Sequence, residues 1–133
     1  MPASAADALE EVRAEIGDPE EWSGGERFVA TELRYADGTP VTVHIRKRHH
    51  RYDIDDEGAA VRKARALGVS EWEGVVAEVV DAHDLNVNRR GVVFVPTVEG
   101  HEIAWLAYRV TRCSYAVHSE LLETLDDSQL SPL

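Results

Sequence analysis

Apolar and polar residues alternate with a period of two in the first half of the chain, which is typical of strands with one buried face. The pair Asp37-Gly38 interrupts this alternation and accepts the positive φ angles of tight turns. The pattern therefore predicts a hairpin with strands at 28–35 and 41–47. A third strand at about 51–55 follows a basic turn and completes a predicted antiparallel meander.

Elsewhere the apolar residues recur every three or four positions, which predicts amphipathic helices. Gly68 marks the end of the second helix, because glycine is the usual residue after a helix C-terminus. Ser70 and Glu73 have the spacing of a capping box, which would open the third helix. The four predicted helices cover 4–16, 60–67, 70–83 and 101–125.

Two short strands are predicted at 85–87 and 92–95, with a turn between them. Together the elements predict an α+β fold: a mainly antiparallel sheet, of hairpin or meander form, with three to four helices packed largely on one face. A length of 133 residues fits a single domain. Within it we predict an N-terminal helix and linker at 1–26, an α+β core at 27–125 and a tail at 126–133.

The single cysteine, Cys113, excludes an internal disulfide and predicts a reducing, cytoplasmic location. The first sixteen residues have no basic start followed by an apolar stretch, so we expect no export signal. No apolar run approaches the length of a membrane span. We therefore predict no association with membranes.

The formal net charge of −11 disfavours binding to nucleic acids, which are held largely by Lys and Arg. Basic residues are nevertheless concentrated in one turn, where they could clamp a phosphate group, and a second basic pair could extend the same patch. The alternative is that these cations offset nearby acidic residues on a solvated surface. The candidate anion-binding residues are Arg46, Lys47, Arg48 and Arg51 in the basic turn, with Arg89 and Arg90 further along the chain.

Carboxylates at Asp53, Asp55 and Glu57, followed by Gly58, occupy the first, third, fifth and sixth positions of a calcium-binding loop and resemble its start. The twelfth position, which needs a bidentate Glu, is Ala64. We therefore expect Asp55 or Asp56 to cap the second helix, and we predict no metal site. A metal-assisted hydrolase that used Asp53, Asp55 and Asp56 would need these carboxylates to converge.

Other chemistry is weakly supported by the sequence. His49 and His50 are adjacent, so they would point to opposite faces of an extended chain and would not chelate one ion. We expect Cys113 to be buried and inert, because it lies on the apolar stripe of the last helix. We expect His83, His101 and His118 to lie at the surface. We predict no catalytic residue and no cofactor.

The preferred functional hypothesis is a non-enzymatic protein-interaction or regulatory domain. Trp22, in the acidic linker, is the predicted interface anchor if it is exposed, because tryptophan often dominates binding energy. The partner is expected to be a protein. A second copy of the chain stays possible, since the apolar stripe of the last helix fits packing within the domain or against a copy. Nucleic-acid or phosphate binding and metal-assisted hydrolysis are the alternatives.

The stretch 52–58 is an aromatic residue and an apolar strand end followed by acidic residues and Gly58, and a helix ending in Leu67-Gly68 comes next. In this respect the chain resembles a family of bacterial and phage proteins of unknown function, over about residues 28–125. Asp55 stands where that family usually has Ser or Thr. The resemblance implies an α+β fold and a mobile-element setting, but it implies no activity and no functional residues.

Overall fold

The computed structural model describes residues 5–130 and the side chains of residues 6–125. Three short 3-10 turns, at Pro19–Glu21, Ser23–Gly25 and Gly100–Glu102, accompany the helices and strands. In chain order the helices and strands are α1 (Ala5–Ile16), β1 (Glu26–Arg34), β2 (Pro40–Arg48), β3 (Arg51–Asp55), α2 (Ala59–Ala66), α3 (Glu73–Ala82), β4 (Asn86–Val87), β5 (Val93–Val98) and α4 (Ile103–Leu130).

The strands form one five-stranded antiparallel sheet in the order β1-β2-β3-β5-β4. The predicted hairpin, meander and short fourth strand are confirmed, with the β1–β2 turn at Asp37-Gly38. In β2, Val41, Val43 and Ile45 are fully buried, so the period-two pattern identified the core face correctly. The long strand β1 forms one edge of the sheet.

The helices cover one face of this sheet, as predicted. α4 contacts β1, β2, β3 and β5, while α1 lies over β1 and both α2 and α3 pack against α4. The apolar stripe of α4 that includes Ile103, Val110 and Leu121 is buried against these elements. The stripe therefore packs within its own domain. No helix among residues 5–130 is long and apolar enough to cross a membrane.

The helix ends differ from the sequence pattern in two places. The N-cap of α3 is Trp72, no side chain caps it, and Ser70 lies outside the helix, so the predicted capping box is wrong. The indole of Trp72 is buried at this position, so the N-cap of the helix lies against the core. α4 continues to Leu130 instead of ending at Leu125. The predicted start at Ser4 and the last three residues of the tail lie outside the described residues.

Trp22 is buried rather than exposed, with 9% of its surface accessible. Its indole N–H donates to the backbone oxygen of Ile16 at 2.7 Å, and its ring contacts Tyr52 edge to face at 5.8 Å. A buried indole with a satisfied N–H is a core residue. The reason for regarding Trp22 as an interface anchor is therefore removed.

Gly91 lies in the tight turn before β5, where its φ is +82° and a Cβ would come within 2.9 Å of Val61 Cγ2. We expect Gly91→Ala to lower the free energy of unfolding by about 2 to 4 kcal/mol, because it adds both backbone strain and overpacking. Gly74→Ala is the matched control, since nothing lies within 4 Å of a Cβ there. It should raise stability by up to about 1 kcal/mol through helix propensity. Chemical denaturation of the two variants measures both effects, and equal losses would contradict the expectation.

Candidate functional site

The three aspartates of the candidate metal loop point in different directions. Asp53 accepts a hydrogen bond from the Thr97 amide and pairs with Arg48 at 3.1 Å, while Asp55 accepts from the Glu57 amide. Asp56 is turned into the core and is 1% exposed. Since all three carboxylates are engaged with different protein groups, they do not form the convergent metal site that a hydrolase would need.

Asp56 instead joins three parts of the fold. Its Oδ1 accepts hydrogen bonds from the amides of Gly58 at 2.8 Å and Val93 at 3.0 Å, and its Oδ2 accepts from the Ser114 hydroxyl at 2.6 Å. Because Ser114 has one proton to donate, the Tyr35 hydroxyl donates to Ser114 Oγ at 2.7 Å. Burial raises the pKa of Asp56, and these hydrogen bonds offset part of that effect.

The prediction that Asp55 or Asp56 caps α2 is therefore wrong in its detail. The N-cap is Gly58, in a left-handed conformation with φ of 74° and no side-chain cap. Both aspartates bind the backbone amide two residues ahead of them, which is the local turn that aspartate favours. The two aspartates therefore hold the backbone of the loop that precedes α2, and they do not cap the helix itself.

A different group of ligand-type side chains occurs at the β5–α4 junction. One ligand atom each from Glu99, His101 and Glu102 lies within 4.8 Å of the others, and among the described residues this is the single group of that kind. Arg51 approaches Glu99 at 3.4 Å and His101 approaches it at 3.5 Å. Glu99 therefore already has a cationic partner.

The basic turn, residues 46–51, is largely neutralised by nearby carboxylates. Lys47 pairs with Glu20 at 3.7 Å, and Arg48 and Arg51 form the ion pairs with Asp53 and Glu99 noted above. Three of its four cations thus have acidic partners within the chain. The arrangement fits the alternative in which these cations offset the acidic residues around them.

Arg89 and Arg90 do not extend this turn. They lie in the β4–β5 turn, next to the end of β5 that pairs with Asp55. The basic turn adjoins the opposite end of β3, where Tyr52 pairs with Val98. The tip of the basic turn is therefore separated from Arg89 and Arg90 by the length of β3.

The histidines range from buried to exposed, and His83, predicted at the surface, is half-buried. His118, predicted at the surface, is 3% exposed: its Nε2 accepts from the Ala36 amide, so Nδ1 carries the proton donated to the Ala60 oxygen. The prediction for His118 is wrong, because helix spacing does not reveal that the β1–β2 turn covers it. His44 is also buried, stacked on Phe28 with Glu26 at 3.3 Å. His101 is exposed as predicted.

Cys113 is fully buried on the core side of α4, as its position on the apolar stripe predicted. Burial raises the pKa of the thiol to about 12, and the carboxylate of Asp56 acts in the same direction. A thiol of this kind stays protonated at neutral pH. It is therefore not a nucleophile.

An open groove of about 1210 Å³ is lined by residues of α1, β1 and α4, and it is called here the α1–α4 groove. The α4 side presents Tyr108, Arg112 and Tyr115, and the β1 side presents Leu33. The α1 side presents Ala8 together with two glutamates. The groove therefore combines aromatic, aliphatic and charged groups.

Aromatic residues on α4 are the functional candidates that the sequence did not single out. Trp105 is 49% exposed and Tyr115 is 39% exposed, while Tyr108 lies between them with its ring 5.9 Å from that of Trp105. Arg112 donates to the Tyr108 hydroxyl at 2.8 Å and lies over its ring. Their signal in the sequence was that these large aromatic residues lie off the apolar stripe of α4.

No protein-family model matches the chain, and comparisons with curated proteins and with solved structures give no match either. The resemblance to a bacterial and phage family therefore stays a prediction. What the chain binds has to be inferred from its own surface.

We expect Asp56→Ala to destabilise the domain by about 3 to 5 kcal/mol, because the buried amides of Gly58 and Val93 lose their acceptor. Asp56→Asn keeps an acceptor oxygen and should cost less than about 2 kcal/mol. Chemical denaturation at neutral pH measures this difference. Equal losses in the two variants would show that the hydrogen bonds of Asp56 contribute little.

The same variants test how the contribution of Asp56 to the free energy of unfolding depends on pH. The pKa of Asp56 is higher in the folded protein than in the unfolded chain, so its contribution is complete below the unfolded pKa and is lost as pH rises through the folded pKa. The free energy of unfolding of the wild type, relative to Asp56→Asn, should therefore fall as pH rises from the ordinary pKa of aspartate, about 4, through the raised pKa of Asp56 in the folded protein. A difference that is flat or rises with pH would contradict this expectation.

Proposed function

We propose that this chain is a non-enzymatic protein-interaction domain that binds its partner through the α1–α4 groove and the exposed aromatic residues beside it. The observation that carries the proposal is that Trp105 and Tyr115 are exposed on α4, with Arg112 and the buried ring of Tyr108 between them. Tryptophan, tyrosine and arginine are the residue types that most often dominate the binding energy of protein interfaces. Here they lie next to a groove that could accept a side chain or a segment of chain.

The side chains of this surface are partly fixed in position, which favours a role in binding. Arg112 is held against Tyr108 by a hydrogen bond and by stacking, so part of the surface is already arranged before a partner arrives. A preorganised surface loses less side-chain entropy on binding. Tyr115 and Trp105 keep large accessible areas on either side, and a partner could bury them.

The competing functions have weaker geometric support. Nucleic-acid binding through the basic turn would require breaking ion pairs with Glu20, Asp53 and Glu99. Metal-assisted hydrolysis has no convergent aspartates, and Cys113 is buried and protonated. The cytoplasmic location belongs to the same proposal, because it rests on the single reduced cysteine.

We expect the double variant Trp105→Ala/Tyr115→Ala to lose its partner, with binding weakened at least about tenfold, because exposed aromatic anchors contribute strongly to affinity. The measurement is affinity capture from lysate of the source organism, with and without nuclease, followed by mass spectrometry. Leu67→Ala is the matched control, since Leu67, the C-cap of α2, is 52% exposed and does not line the groove.

Circular dichroism and thermal unfolding must show that both variants keep the fold. The proposal is supported if a stoichiometric protein survives nuclease and is retained by Leu67→Ala but lost by the double variant. It is overturned if the double variant retains that protein. Recovery of nuclease-sensitive nucleic acid alone would also overturn it and would favour the basic turn.

A further inference from the structure

The α1–α4 groove carries an excess of negative charge. Glutamates line it from all three elements: Glu11 and Glu15 from α1, Glu32 from β1 and Glu120 from α4. Two cations, Arg27 and Arg112, line it as well. Four carboxylates against two guanidinium groups leave the groove acidic.

These four carboxylates differ from those around the basic turn. Within the described part of the chain, no lysine, arginine or histidine forms an ion pair with any of them. The two arginines of the groove donate to other acceptors: Arg27 to the backbone oxygen of Glu15 and Arg112 to the Tyr108 hydroxyl. The negative charge of the groove is therefore not compensated by ion pairs within the domain.

Aromatic rings in the same groove attract the same kind of ligand. The exposed ring of Tyr115 can bind a cation through its π electrons, as the buried ring of Tyr108 already does with Arg112. Arginine and lysine also have aliphatic stems, which can cover apolar surface while the charged end reaches a carboxylate. Leu33, Ala8 and Ala116 supply apolar surface of that kind.

The overall charge helps to decide between a second copy and another protein. Two copies that each carry a net charge of −11 repel one another, and a groove with an excess of glutamates is not self-complementary. A cationic partner would be attracted by both the groove and the net charge of the domain.

We propose that the α1–α4 groove binds a cationic segment of a partner protein, whose Lys or Arg side chains pair with Glu11, Glu15, Glu32 and Glu120 while its apolar side chains pack on Tyr115 and Leu33. This inference rests on the proposed function, since it concerns the same surface and adds the chemistry of the partner.

The direct test uses a synthetic amphipathic peptide of about 18 residues, long enough to span a helix of about five turns, with Leu on one face and Lys or Arg on the other. A scrambled peptide of equal composition and an acidic analogue with Glu in place of Lys and Arg are the comparison probes. Isothermal titration calorimetry gives the affinities, and two-dimensional ¹H–¹⁵N NMR spectra locate the residues whose signals move.

The decisive protein variant is Glu11→Lys/Glu15→Lys, and Glu71→Lys/Glu78→Lys is its matched control. The control changes the net charge equally, but Glu71 and Glu78 are exposed residues outside the groove. We expect the groove variant to weaken peptide binding about tenfold or more and the control to weaken it less than about threefold, because short-range pairs outweigh the screened general attraction. Thermal unfolding shows whether both variants stay folded.

The proposal is supported if the cationic amphipathic peptide binds best and the NMR signals of Tyr108, Arg112 and Tyr115 move most. It is overturned if the two charge variants lose affinity equally, if the scrambled or acidic peptide binds as well, or if the cationic peptide does not bind at all. A lysate partner that is lost by Trp105→Ala/Tyr115→Ala but retained by Glu11→Lys/Glu15→Lys would leave the proposed function standing and exclude a cationic partner. If the cationic peptide binds in the groove but the lysate partner is retained by Trp105→Ala/Tyr115→Ala, the proposed function is overturned while the preference of the groove for cationic segments stands.

Discussion

The buried carboxylate of Asp56 connects the loop before α2, the start of β5 and the middle of α4. A buried carboxylate is tolerated only when its oxygens are hydrogen-bonded, so these partners are held in fixed positions. The hydroxyl of Ser114 is also hydrogen-bonded to that of Tyr35, which directly follows β1. The rotation of α4 about its own axis is set by these bonds together with its buried apolar stripe. The outer face of α4, with Trp105 and Tyr115, is directed to solvent as a result.

The distribution of charge follows from this architecture. The acidic residues of the linker and of the β5–α4 junction lie beside the basic turn, and Glu20 and Glu99 pair with its cations. The groove on the helical side contains glutamates without such partners. A chain with a strong acidic excess thus has one surface where local ion pairs offset the charge and another where they do not. The carboxylates of the second surface attract cationic ligands.

Much of the fold was accessible from local patterns. Strand alternation, the Asp37-Gly38 turn and the apolar spacing of α4 each identified an element, because backbone periodicity and turn chemistry act over a few neighbouring residues. The predictions that were wrong depend on contacts between residues that are distant in the sequence. The residues Ser70 and Glu73 have the spacing of a capping box, but the N-cap of α3 is the buried Trp72. His118 is buried beneath the β1–β2 turn, which lies more than 80 residues away in sequence and whose Ala36 amide donates a hydrogen bond to its ring.

The sequence by itself determined the α+β class, the meander, the core face of the strands and the buried state of Cys113, because each depends on side-chain periodicity within one element. Only the tertiary structure decided which charges have partners and which aromatic residues stay exposed. Trp22 and Trp105 are chemically the same side chain, yet one is 9% exposed and the other 49%. Their difference arises from the elements packed around each of them, and those contacts join residues that are distant in the chain.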